Sequence, residues 1–205
     1  AWADAVFEAG EVAPAPEVPV APGVFTVVFA GNIGEAQDFP AILDAAERLR
    51  GRRDIRWVIV GDGRMSDWVG AEIARRGLGD SMLMVGRHPL ERMPAFFAHA
   101  QALLVSLKRD PVFAMTIPGK MQSYFATGLP VLAMLDGEGA RIVEEAKAGL
   151  VCAAGDGAGL AGIVERMAAL DVESRRRMGE QGRALCAREF DRDRLPFRPE
   201  MATGS

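Results

Sequence analysis

Two cysteines, two histidines and one tyrosine are all that the 205 residues contain of those types. Cys152 and Cys186 lie far apart and outside any CxxC pattern, which excludes a disulfide scaffold and fits a reducing, cytosolic compartment. Each sits in an apolar setting and reads as a small core residue. His88 and His99 have no cysteine nearby at ligand spacing, so neither zinc nor any other metal is expected. An excess of positive charge is also missing: 24 Lys and Arg stand against 28 Asp and Glu, for a net charge of −4. No basic stripe interleaves with aromatics, which argues against a nucleic-acid partner. Long apolar runs are absent; stretches such as Val24 to Ala30 are far short of the roughly 20 residues that span a bilayer. No signal peptide is visible, and the chain starts at Ala1 without Met, as a piece cut from a longer protein would. What is present is a 49% hydrophobic composition, enough to bury the core of one domain of ordinary size.

Residues 8 to 23 alternate prolines with small and acidic residues and read as an extended linker outside the core. Residues 1–23 are therefore assigned to a hinge or linker, 24–195 to the folded domain and 196–205 to a polar tail. Within the domain, apolar runs at Val24–Ala30, Ile55–Val60, Met82–Val85, Ala102–Val105, Pro130–Met134 and Leu150–Ala153 predict six buried strands. Helical spacing separates them: Asp38 to Arg50, Ser66 to Arg76, Leu90 to Ala100, and a helix opened by Pro118-Gly119-Lys120 that ends at Gly128. Another starts at Gly137, and two more cover 157–170 and 174–190. Ser106 to Ile117 reads as a long loop. Strands apolar on both faces, alternating with helices, predict an open, doubly wound parallel α/β sheet.

In such a sheet ligands bind beyond the carboxyl ends of the strands. Glycines cluster there: Gly31 and Gly34, Gly61 and Gly63, Gly86, and Gly137 a little beyond the fifth strand. Turns of this kind favour glycine in any case, but the set on one edge favours a phosphate-bearing ligand approached closely by backbone N–H groups. A dinucleotide fingerprint fails, because Ser66 takes the third glycine position after Gly61-Asp62-Gly63 and the motif follows the second strand. Pro118-Gly119-Lys120 lacks the remainder of a Walker A motif, and no Gly-x-Ser-x-Gly elbow occurs. His99 lies on an apolar helix face and reads as structural; His88, after Gly86-Arg87, ends a strand and is the better site candidate. The most informative stretch is Ile117-Pro-Gly-Lys-Met-Gln-Ser-Tyr-Phe-Ala-Thr-Gly-Leu-Pro-Val131. Lys120 falls in the first turn of its helix, where the dipole disfavours a cation by about 0.3–1 kcal/mol. It is either a solvated lysine or a lysine whose cost a bound anion would reverse.

This stretch, with Gly137-Glu138-Gly139-Ala140, Ala148-Gly149-Leu150-Val151 and Gly155-Asp156, resembles the C-terminal domain of retaining GT-B glycosyltransferases of family 4. So do the turns at Phe29–Gly34, Val60–Gly63 and Gly86-Arg87. The resemblance runs from about Val24 to Phe190 and is nearest to bacterial enzymes of surface polysaccharides and lipid-linked oligosaccharides. It implies a nucleoside diphosphate sugar as ligand, UDP favoured, with transfer to a saccharide or lipid-linked acceptor and no separate cofactor. Trp2-Ala3-Asp4 resembles the segment entering this domain from the hinge, which implies a missing N-terminal acceptor domain and an inactive fragment. The localisation implied is cytoplasmic, with the full-length enzyme able to sit peripherally at the inner face of a membrane.

The sequence departs from the family at its usual pair of glutamates, whose positions hold Met115 and Ser123. The cations usual on the first turn are replaced by Asn32 and Gln37. By resemblance, helix amides from Pro118 to Met121 with Lys120 would stabilise the leaving diphosphate. Gly31, Asn32 and Gly34 would hold phosphate, Gly86, Arg87 and His88 the base, and Ser123 a ribose hydroxyl. Lys120 and Glu138 are the catalytic candidates, and Asp110 could orient a sugar hydroxyl. The competing readings are a nucleotide-sugar epimerase of the same fold, a non-catalytic nucleotide-binding domain and a generic dehydrogenase domain.

Overall fold

The computed structural model describes residues 12–193. Trp2 to Asp4, the first part of the expected linker and the tail from 196 lie outside the described residues. Six strands form one sheet: β1 (Phe25–Ala30), β2 (Ile55–Val60), β3 (Met82–Gly86), β4 (Ala102–Ser106), β5 (Val131–Met134) and β6 (Gly149–Cys152). Their order is β3-β2-β1-β4-β5-β6, and every neighbouring pair is parallel. The order reverses between β1 and β4, so the crevice of this open sheet lies at the carboxyl end of β1.

The helices are α1 (Phe39–Arg48), α2 (Ser66–Arg75), α3 (Met93–Phe97), α4 (Pro111–Ala114), α5 (Lys120–Thr127), α6 (Gly137–Glu145), α7 (Gly157–Ala169) and α8 (Val172–Asp193). They cover both faces because successive strand residues point to opposite sides. Val27 and Phe29 of β1 pack with Phe39 and Ile42 of α1 and with Leu160 and Val164 of α7. Val28 and Ala30 pack with Phe96 of α3, Tyr124 and Phe125 of α5 and Val143 of α6. Helix α5 ends at Gly128, whose φ of 72° is the left-handed cap that glycine adopts without strain.

Three expectations are corrected. The helix expected over Leu90 to Ala100 is a 3₁₀ turn, Leu90–Arg92, followed by the short α3. Pro94, in the first turn of α3, has no N–H to continue a helix from upstream, so the helix restarts around it. The expected loop from Ser106 contains α4, started by Asp110, whose carboxylate accepts from the Val112 amide at 2.8 Å. The largest difference is the proline-rich segment, which does join the core: Ala15 is 1% exposed and Val18 2%. The Ala15 amide donates to Ala95 O, and Ala15 O accepts from His99 Nε2, both at 2.9 Å. Arg56 Nη1 donates to Pro19 O. Isolated apolar residues between prolines carry no periodicity, yet they fill the space beside α3. His99 is thereby structural, as expected.

Candidate functional site

A cavity of about 910 Å³ opens at the carboxyl ends of β1, β2 and β3. Gly31, Asn32, Gly61, Gly63, Arg87 and His88 line it, together with Asp62 and Met93. Two turns meet here with no room between them. A Cβ on Gly61 would stand 1.9 Å from Gly31 O, and Gly61 has a φ of 141°. Glycine is required at this point on both counts.

The first turn is tied down by its own amides. Gly31 N donates to Val60 O and Ile33 N to Asp62 O, while Gly34 N donates to Gln37 Oε1 at 3.1 Å. The expectation that Gly31 and Gly34 offer free N–H groups to a phosphate is therefore corrected. Among the described residues, the Asn32 amide alone in this turn has no partner. The turn is held from below by Ser106, at the end of β4, whose Oγ donates to Gln37 O at 2.7 Å. Asp62 accepts from Ser66 Oγ and the Gly63 amide, which hold its carboxyl below the usual range.

Lys120 opens α5 beside this turn. Its Nζ is buried without a hydrogen-bond partner among the described residues. It lies 3.9 Å from the centre of the Phe29 ring, and a Cβ on Gly31 would come within 3.0 Å of it. Burial pushes its pKa down to about 7, and burial is the only cause. The reading as a solvated lysine is thus excluded; the ammonium is desolvated, at the positive end of a helix, behind Gly31 of the cavity wall and not itself among the lining residues. Tyr124, one turn on, fixes α5 to β1: its hydroxyl accepts from the Ala30 amide at 2.9 Å and donates to Ala30 O at 3.1 Å.

The remaining expected residues fall elsewhere. Pro118 has no N–H, and the Met121 amide is taken by Pro118 O, so of the expected anion-binding amides only those of Gly119 and Lys120 remain. Gly86 ends β3 with a φ of 75°, next to the lining residues. Ser123 is only 4% exposed and does not line the cavity, which removes it as a ribose ligand in this arrangement. Glu138 is half-buried and hydrogen-bonded to Arg141, which holds its carboxyl below the usual range; it is not among the cavity's lining residues. Asp110 is engaged as the cap of α4. Sequence reasoning missed Phe29 and Met93, since apolar residues of a strand and a helix carry no signal that a ligand site lies beside them.

Among the described residues no group of three or more His, Cys, Asp or Glu could hold a metal ion, and no helix is long and apolar enough to cross a membrane.

The fold recurs in solved proteins. HepE of Anabaena, solved with UDP-glucose, superposes with a TM-score of 0.69 at 17% identity, over 82% of this chain and 45% of that one. S. aureus TarM, solved with UDP, gives 0.72 at 13% identity, over 90% of this chain and 35% of that one. The C-terminal domain of LpcC, a glycosyl transferase group 1 protein of Francisella tularensis, gives 0.69 at 15% identity, over 90% and 96%. The chain thus spans less than half the length of HepE or TarM and nearly all of the isolated LpcC domain. No curated protein matches it in sequence. Residues 24–169 match the family model described as "Glycosyl transferases group 1". With that match running from the residue before β1 to the last residue of α7, the chain belongs to the glycosyl transferases group 1 family, as an α/β half of the GT-B fold.

Proposed function

We propose that the cavity binds the nucleoside diphosphate of a sugar donor, UDP favoured, for transfer of the sugar with retention to a saccharide or lipid-linked acceptor. The observation that carries this is the Lys120 Nζ, buried beside Gly31 of the cavity wall and without a hydrogen-bond partner among the described residues. An ammonium so placed is costly until an anion arrives. A diphosphate beside Gly31 supplies that anion and draws a proton onto the amine. As the bond from the anomeric carbon to the diphosphate oxygen breaks, negative charge grows on the leaving group, where Lys120 and the Gly119 and Lys120 amides sit. The base end falls at Gly86, Arg87 and His88. The acceptor site belongs to a second half of the GT-B pair, so this piece alone binds donor and does not turn over. The full enzyme works in the cytoplasm, peripherally at the inner face of a membrane.

A second reading, a nucleotide-binding domain without catalysis, is favoured by one observation. The positions of the family's glutamate pair hold Met115, which is 75% exposed, and the buried Ser123. Titration calorimetry with UDP, GDP, UDP-sugars and NAD tests the binding step: UDP or a UDP-sugar binds under the proposal, and binding of NAD alone contradicts it. Sugar transfer by the full-length enzyme then separates transferase from mere binder.

A further inference from the structure

The cavity wall at His88 is fixed by a relay that begins in the proline-rich segment. His88 Nε2 lies 2.9 Å from Val85 O. A carbonyl oxygen only accepts, so Nε2 carries a proton. Nδ1 faces Arg92 Nη1 at 3.5 Å, and a guanidinium only donates, so Nδ1 presents its lone pair. The His88 and Phe96 ring centres are 4.6 Å apart at 46°, and the Arg92 guanidinium lies 5.4 Å over the same Phe96 ring. Arg92 is in turn gripped by both carboxylate oxygens of Glu17, at 2.5 and 2.9 Å. The pairing holds the Glu17 carboxyl down to about 2. Glu17 cannot drift, because the residues around it are anchored: Ala15 and Val18 are buried, and Pro19 O accepts from Arg56.

We propose that Arg92, held by Glu17, is a positioning residue for His88. It fixes the ring in one tautomer and orientation, as a flat wall on which the nucleobase stacks. Phe96 backs the ring, which leaves its other side to the cavity that His88 lines. A sequence-tolerant stacking surface suits this end of the site, where the planar base needs a rigid π-face more than it needs charge. The proposal rests on the nucleotide reading, and it makes that affinity depend on the docking of residues 15–19. A merely structural clasp between Glu17 and Arg92 would hold the segment but would not act on the ring.

The test uses this chain with its histidine rings labelled with ¹⁵N, a His88→Gln variant to assign the signals, and calorimetry with UDP. The unaltered chain is expected to show His88 as the Nε2–H tautomer. Arg92→Met should loosen the ring, read as shifted or exchange-broadened His88 ¹⁵N signals, and weaken UDP about tenfold, on the scale of one lost stacking contact. The decisive variant is the double exchange Glu17→Arg with Arg92→Glu. It keeps the ion pair but turns an acceptor towards Nδ1 while Val85 O still accepts from Nε2, so it should keep the melting temperature, place a proton on both ring nitrogens and still weaken UDP. Unaltered UDP affinity in the exchange variant would reduce the pair to a clasp and overturn the proposal, as would an Arg92→Met chain unchanged in its His88 ring signals and its affinity. If the unaltered chain binds no UDP, the nucleotide reading falls and takes the stacking wall with it. The ring signals then still decide whether Arg92 positions His88.

Discussion

The Lys120 ammonium nitrogen stands 3.9 Å from the centre of the Phe29 ring, buried and without a hydrogen-bond partner among the described residues. One strand residue and the first residue of one helix thus place a desolvated amine at the switch point of the sheet. The cation–π contact offsets part of the cost of burying the charge, but not all of it, since burial still pushes the pKa down to about 7.

A pH dependence of stability follows with a definite sign. The folded pKa of Lys120, about 7, lies below the ordinary lysine value of 10.5, so between these values the unfolded chain holds the proton and the folded chain does not. Stability should rise with pH across that window, by at most roughly 1.4 kcal/mol per pH unit from this group. Denaturant unfolding of the unaltered chain and of Lys120→Met at pH 7 and pH 9 checks it. The variant should be the more stable at pH 7 and lack this rise.

Gly61→Ala should damage the cavity and the fold together. The added Cβ would meet Gly31 O at 1.9 Å, from a backbone φ of 141°. Strain of about 1–3 kcal/mol is expected, read as a lower denaturation midpoint. Nucleotide affinity should fall with it because the Gly31 turn has to move.

Tyr124→Phe removes the hydroxyl that satisfies both the amide and the carbonyl of Ala30. Two buried backbone groups lose their partner, and a loss of about 1–3 kcal/mol is expected. Because the same bonds dock α5 on β1, the thermal shift produced by UDP should also shrink.

Val18→Ala tests the docking of the proline-rich segment. Val18 is 2% exposed, and the two carbons removed should cost about 1.5 kcal/mol at roughly 0.8 kcal/mol for each. A true linker residue would tolerate the change without effect.

Much of the sheet was legible because buried parallel strands are short apolar runs, and those at Phe25–Ala30 and Ile55–Val60 are cleanly bounded by turns. Gly128 marks a helix end through chemistry that is local to the chain, whereas Asp110 and Pro111 start a helix of only four residues, too short to show a period in a stretch that reads as a loop. What was hidden depends on groups distant in sequence. Ala15 and Val18 are buried only because α3 and His99 stand opposite them. Gly34 looks free in the sequence, yet its amide is taken by Gln37. Lys120 could be placed in a first turn from the sequence, but its desolvation depends on Phe29, on another element altogether. Glu138 lies in a Gly-Glu-Gly turn that invites a ligand, and Arg141, three residues on, takes its carboxylate instead.

The most direct test of the central claim is calorimetric titration of UDP into the unaltered chain and into Lys120→Met at pH 7. The account predicts that the unaltered chain binds UDP and that the variant, still folded and at least as stable, binds it at least tenfold more weakly, about 1.4 kcal/mol or more. Equal UDP affinity in the two chains, or no UDP binding by the unaltered one, would contradict it.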